Sequence, residues 1–261
     1  MKENTMLDRS QADFSFLLDN ACAGQMIPRS SFGHLDQSIC LWNYIRIADD
    51  IARQTRGDLL DWGCGYGQMT YLLQQRGLRV TSFDVGPRDA QLPDIPICRN
   101  LNVVRSTDPT KLPFASACFN AVLSCGVLEH VDEGSQAGNE LKSLREIARI
   151  LRPNGLLLIY QLPQKNAWQE SLIRRFKLGY AHPRRYKANE IIQMLRDTGY
   201  EVQRMRRANL IPKNLTGMPN ILRRFYSLFS RLLIAIDGRL AQVPGFRQVA
   251  GALEITARKI I

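Results

Sequence analysis

No stretch of about 18 uninterrupted apolar residues occurs in this chain, so the sequence offers no membrane-spanning helix. Met1 to Ser15 is polar and mixed in charge, without a basic start leading into an apolar segment, and predicts no secretory signal. The six cysteines are scattered and none falls in a Cys-x-x-Cys pair. That pattern predicts neither a zinc site nor a disulfide framework, and no metal is expected. Reduced, buried thiols of a cytoplasmic protein are the simplest expectation.

The 261 residues are 45% hydrophobic, enough for one sizeable core with decoration. The formal charge is +11, and its placement matters more than its size. Between Arg174 and Arg239 there are 15 Lys and Arg against 4 Asp and Glu, so the whole surplus lies in that stretch. Such a surplus suits an anionic partner, whether a phospholipid surface, a phosphorylated substrate or nucleic acid. A solvated basic face with no dedicated partner is the alternative.

Leu59 to Gln68 reads Leu-Leu-Asp-Trp-Gly-Cys-Gly-Tyr-Gly-Gln. An apolar run ends in Asp61, three glycines follow at Gly63, Gly65 and Gly67, and a helical pattern begins. This is a strand, a tight turn and a helix start. Glycines belong where the backbone turns sharply and a ligand approaches it closely. The helix N-terminus adds unpaired N–H groups and a positive dipole. A second apolar run, Leu78 to Phe83, ends in Asp84, which completes a β-α-β unit. An acid there can accept hydrogen bonds from both ribose hydroxyls of a nucleoside, or it can cap the turn at Val85-Gly86-Pro87. Nicotinamide enzymes share these features, so they do not yet choose a cofactor.

Three further segments narrow the choice. Asp108 to Phe114 reads Asp-Pro-Thr-Lys-Leu-Pro-Phe. Cys118 to Val131 reads Cys-Phe-Asn-Ala-Val-Leu-Ser-Cys-Gly-Val-Leu-Glu-His-Val, and Leu151 to Tyr160 reads Leu-Arg-Pro-Asn-Gly-Leu-Leu-Leu-Ile-Tyr. In this order and at these intervals, Leu59 to Leu162 resembles the class I S-adenosylmethionine-dependent methyltransferases, and within them the type 11 group that includes quinone-biosynthesis enzymes. The resemblance implies an α/β, Rossmann-like sheet of seven strands, mainly parallel with a C-terminal antiparallel strand and helices on both faces. It implies S-adenosylmethionine as cofactor. Gly63, Gly65 and Gly67 would line its methionine and ribose, and Asp61 would help hold the methionine end. Asp84 would bind the ribose hydroxyls, Asp108 the adenine amino group, and Ser124, Cys125 and Gly126 the amino acid end. Trp62 and Cys64 depart from the smaller or aliphatic residues usual beside such glycines.

The chain then divides into one methyltransferase domain over 1–261. A helical lid covers 1–55, with a helix expected within Ser30 to Thr55. A cofactor-binding core covers 56–211, a helical insertion 212–249 and a final strand 250–261. His34 and Tyr44 are pocket candidates, with packing the alternative for Tyr44. Strands are expected at Leu101–Val104, Phe119–Ser124, Leu156–Gln161, Glu201–Leu210 and Ala252–Arg258, and helices at Gln68–Arg76, Asn139–Leu151 and Ala188–Thr198. The last two strands normally form a hairpin, and here about 40 residues separate them, too many for a loop without structure of its own. Ile221 to Leu240 supplies that structure as an amphipathic helix, with Leu222, Phe225, Phe229, Leu232, Leu233 and Ile236 on one face and Arg223, Arg224, Ser227, Ser230 and Arg231 on much of the other. Capping the acceptor pocket, packing a dimer and lying in an anionic membrane interface are its three candidate roles.

His130 is the candidate general base, since it follows the fourth strand on the ligand-binding edge and titrates in the useful range. Starting or capping the next segment is its structural alternative. His182 and Arg184 in His-Pro-Arg-Arg-Tyr are candidates to hold an acceptor phosphate or carboxylate. Tyr160 and Gln161 are candidates to line the pocket. The acceptor is expected to be a small molecule or lipid methylated on oxygen or carbon, and the protein to be cytoplasmic, with the periphery of a membrane as the alternative location. An RNA methyltransferase is the alternative, favoured by the basic stretch. Against it, the fourth strand ends in Ser-Cys-Gly without an Asn/Asp-Pro-Pro-aromatic motif, and no Pro-Cys nucleophile pair is present. A dehydrogenase would explain the glycines and Asp84 but not Asp108 with Leu-Pro-Phe.

Overall fold

A computed structural model of the chain describes residues 2–25, 37–88, 90–132, 137–177, 181–213, 215 and 218–260. The elements in order are α1 (Lys2–Gln25), α2 (Ser38–Gln54), β1 (Asp58–Trp62), α3 (Gln68–Gln75), β2 (Arg79–Val85), α4 (Pro96–Arg99), β3 (Val103–Ser106) and β4 (Phe119–Cys125). A 3-10 turn at Leu128–His130 leads to α5 (Asn139–Ile150), β5 (Leu151–Pro163), α6 (Trp168–Phe176), α7 (Ala188–Asp197), β6 (Tyr200–Ala208), α8 (Asn220–Leu240), α9 (Phe246–Val249) and β7 (Ala252–Lys259).

The strands form one seven-stranded sheet in the order β3-β2-β1-β4-β5-β7-β6. Only β7 runs antiparallel, paired to β5 on one side and β6 on the other. This is the Rossmann-like sheet that the resemblance implies. Leu59, Leu123 and Leu158 face α1, α2 and α3 on one side, while Leu60, Val122, Leu157 and Ile159 face α5 and α7 on the other. The central strands are apolar on both faces because both faces are covered. Parallel order places the C-terminal ends of β1, β2, β4 and β5 along one edge, where the glycine turn, Asp84 and Ser124 to Gly126 sit.

Several elements differ from their expected bounds. The third strand starts two residues late, at Val103. The fifth starts at Leu151, because Asn154 takes a left-handed turn (φ 62°) and the chain re-registers between Phe119 and Ala121 of β4. The helix expected within Ser30 to Thr55 is α2 from Ser38, and residues 26–36, His34 among them, lie outside the described residues. The polar first segment forms the long helix α1, whose Leu17 and Ala21 join the core.

The helix in the insertion is where expected, and most of its apolar side chains turn outward, away from the core. Ser230, Ile234 and Asp237 are its buried side chains. Ile221 (81% exposed), Leu228 (78%), Phe225 and Leu232 face outward. Asp237 fixes this orientation. Its carboxylate accepts from the backbone N–H of Asn209 (3.1 Å) and Ile211 (2.7 Å) and pairs with buried Lys213 at 2.9 Å. The small Ser227 then meets Ser38 of α2 at 2.9 Å.

Candidate functional site

The glycine turn leaves β1 pinned to its neighbour: the N–H groups of Gly63 and Cys64 both donate to the Phe83 carbonyl of β2, at 2.8 and 2.9 Å. The three glycines have different reasons. A Cβ on Gly63 would lie 2.5 Å from Val127, and one on Gly67 would lie 2.6 Å from Leu101. A Cβ on Gly65 would meet nothing within 4 Å, so this turn faces open space there. Gly65 also holds a positive φ of 53°. Asp84, at the end of β2, takes the Val85 N–H at 2.8 Å and is hydrogen-bonded by the Gly65 backbone N–H, with its pKa raised by burial. The open side of the turn and the acid thus meet.

Asp61 lies behind the turn, 2% exposed, and accepts from the Thr70 hydroxyl at 2.7 Å. Burial pushes its pKa up to about 6, against the Thr70 hydrogen bond and with help from the charge of Asp84. Asp108 follows β3. One of its oxygens accepts the Thr110 N–H (2.8 Å) and hydroxyl (2.6 Å), and these bonds lower its pKa.

The end of β4 supplies the next wall. Ser124 Oγ is buried with no hydrogen-bond partner among the described residues. Cys125 Sγ receives the Gln161 side-chain amide at 3.5 Å, and burial drives its thiol pKa far upward, so it is a poor nucleophile. Gly126, with φ 67°, donates to the Tyr160 carbonyl at 3.0 Å. Tyr44, from α2, is hydrogen-bonded to Gln161 and lies beside Cys125. It therefore joins this wall as well as packing.

Two expected acceptor contacts are corrected. Tyr160 is buried, and its hydroxyl donates to Asp50 (2.6 Å) and accepts from Gln54 (2.9 Å), both on α2. The β5–β7 register shifts between Ile159 and Leu162, and Gln161 takes a positive φ of 58°, so Gln161 presents itself to Cys125 instead. Arg184 forks onto Glu140 at 2.6 and 2.8 Å and pairs with Glu190 at 2.7 Å, over the ring of Tyr186. Those carboxylates already use the donors that an acceptor anion would need.

His182 does not stand with Arg184. Its ring lies 5.8 Å from that of His130. Buried Glu170 holds it twice, at the backbone N–H (3.1 Å) and at Nδ1 (2.7 Å). The carboxylate accepts the Nδ1 proton and fixes the orientation of the ring. Glu129, 2% exposed, places Oε1 3.9 Å from His130 Nε2. Glu129, His130 and His182 each offer a donor atom within 4.8 Å of the others, a set that could hold a divalent ion. The expectation of no metal weighed cysteine spacing alone. Glu170 went unnoticed in the sequence because its partner sits across a loop, and Glu129 carried only the signal of adjoining His130.

Known proteins resemble this chain over its central part. Residues 60–159 match the family model described as a methyltransferase domain. The probable tRNA methyltransferase 9B of Mus musculus is 32% identical over 126 residues, which are 46% of this chain and 26% of that protein. The demethylmenaquinone methyltransferase of Tropheryma whipplei is 28% identical over 127 residues, 49% of this chain and 50% of that protein. The chain thus spans about a quarter to a half of the length of these curated relatives. A solved structure of the Burkholderia thailandensis 1,6-didemethyltoxoflavin-N1-methyltransferase, with its substrate and S-adenosylhomocysteine bound, superposes with a TM-score of 0.51 at 20% identity, over 85% of this chain and 81% of that one.

Proposed function

We propose that this chain, which carries an S-adenosylmethionine-dependent methyltransferase domain over residues 60–159, moves a methyl group to oxygen or carbon of a small-molecule or lipid-type acceptor. The observation that carries the reading is the open face of Gly65 opposite Asp84, on the sheet edge that also bears His130. The residues fit S-adenosylmethionine. Gly65 leaves room for it, the Asp84 carboxylate suits two ribose hydroxyls, and the unpartnered Ser124 Oγ suits its polar amino acid end. Asp61 suits the positive charge of that end, and Asp108 can still accept from the adenine amino group.

The bound cofactor supplies a methyl group on a sulfonium, already activated for in-line attack. The chain must hold an acceptor in line, an effect that can be worth about 7–11 kcal/mol. Tyr44, Cys125 and Gln161 stand together at the end of β4, with Tyr44 and Cys125 held against ionisation by burial. His130 takes the proton of a hydroxyl acceptor, and Glu129 beside it steadies the imidazolium that results. His182, fixed by Glu170, orients the acceptor or the His130 ring.

A lipid-type acceptor is supported by α8. Its outward Ile221, Phe225, Leu228 and Leu232, with exposed Arg224 and Arg231, suit an anionic bilayer interface. No helix among the described residues is long and apolar enough to cross a membrane. A tRNA acceptor is the second reading, favoured by the relatives of that name and by the basic stretch.

Titration calorimetry with S-adenosylhomocysteine tests the cradle. Binding is expected in the wild type, lost in Asp84→Ala and kept in His130→Gln, while His130→Gln lowers turnover of a hydroxyl acceptor by about 10²–10⁴-fold. Binding that survives Asp84→Ala undiminished would overturn the assignment.

A further inference from the structure

On the same sheet edge, beyond β5 from the cofactor cradle, lies a cavity of about 270 Å³. Three segments build it. Residues 164–166 follow β5, residues 186–188 open α7, and Arg207 at the end of β6 faces Arg247 of α9. Four cationic side chains line it (Lys165, Lys187, Arg207 and Arg247), and no carboxylate does.

The pocket is built, and among the described residues no acid pairs with Arg207 or Arg247 in it. Gln164, 5% exposed, donates its amide to the carbonyls of Arg247 (3.3 Å) and Gln248 (2.7 Å), which ties the inserted α9 to the end of β5. With the amide nitrogen so fixed, Gln164 Oε1 is buried without a partner, and Arg207 Nε is too. Arg207 is desolvated and repelled by Arg247, which lowers its pKa. By contrast, Arg184, Arg204, Arg206 and Lys213 of the basic stretch each have an acid beside them. A buried guanidinium nitrogen left without an acceptor is costly unless a ligand supplies one. The first turn of α7 adds backbone dipole of the same sign.

We infer that this cavity is a phosphate site, taking the phosphate ester of a small molecule or of a lipid headgroup. Anionic oxygens satisfy Arg207 and Arg247, and a hydroxyl of the ester's alcohol, or a protonated phosphate oxygen, donates to Gln164 Oε1. The assignment stands apart from methyl transfer, since binding alone reads it out.

Inorganic phosphate titrated into the full chain at constant ionic strength, followed by thermal melting, tests it. The wild type is expected to gain stability with phosphate, as a site that binds only the folded state requires. Arg247→Gln is expected to weaken phosphate about tenfold or more, the loss of one charge-assisted bond. Arg247 is exposed and its carbonyl, not its side chain, receives Gln164, so this variant keeps the tie to β5. Arg224→Gln on α8 serves as a charge-matched control and should keep the response. Glycerol 3-phosphate and phosphatidylglycerol vesicles then separate the sources: Arg247-dependent binding of the first marks a soluble ester, and of the second a headgroup. No phosphate response in the wild type, or an equal response in Arg247→Gln, would overturn the assignment, as would RNA binding that needs Arg247 while phosphate has no effect.

Discussion

Gly63 and Gly65 are two residues apart and should fail in different ways. Gly63→Ala drives a methyl group into Val127 from a left-handed backbone and should destabilise the fold by on the order of 2–4 kcal/mol. Gly65→Ala meets no atom, costs about 1–2 kcal/mol of backbone strain, and fills the cradle. Chemical denaturation and calorimetry separate the two: the first variant loses stability, while the second keeps most of it and loses cofactor affinity. Asp61 gives a pH signature. Its folded pKa of about 6 lies above the usual 3.8, so the folded state holds the proton more tightly. Stability from this group is full below about pH 4 and is lost as pH rises through 6, by on the order of 3 kcal/mol. Asp61→Asn removes that slope and gains relative to wild type above pH 6 in urea titrations. An unchanged slope would contradict the burial argument. The glycines and Asp84 were legible in sequence because their chemistry is local. Tyr160 and Arg184 were not, because Asp50 lies 110 residues from one and Glu140 lies 44 from the other.

At the level of elements, strand and helix order was legible because apolar periodicity and Gly or Pro stops set it locally. The bulge at Gln161 was not, since it depends on pairing with β7. The orientation of α8 was not legible either. Its sequence shows which residues form an apolar face, but three backbone and side-chain partners of Asp237 decide which side turns inward. This yields a prediction about two variants. Phe225→Glu and Leu228→Glu replace exposed side chains and should shift stability by no more than about 0.5 kcal/mol. The same changes should abolish flotation with anionic vesicles if α8 lies in a bilayer interface. Flotation equal to wild type would remove the membrane role and leave the apolar stripe to another partner.

Over the whole molecule, the charge surplus divides into two populations. Some cations are paired with acids: Arg204 with Asp50, Lys213 with Asp237 and Arg184 with Glu140, and these pairs tie β6, the insertion and α5 to their neighbours. Others line the pocket beyond β5 or stand along α8. A net charge read from sequence cannot make this division, because it depends on which acids the fold brings near. The surplus is therefore a weaker sign of nucleic acid than its size suggests. The central claim is transfer of a methyl group to a small or lipid-type acceptor. Methyl-labelled S-adenosylmethionine, incubated with the protein and a cell extract that is then separated into lipid, RNA, protein and small soluble molecules, tests it most directly. The account predicts label in the lipid or small-molecule fraction, absent with Asp84→Ala. Label in RNA alone, or equal label with the Asp84→Ala variant, would contradict it.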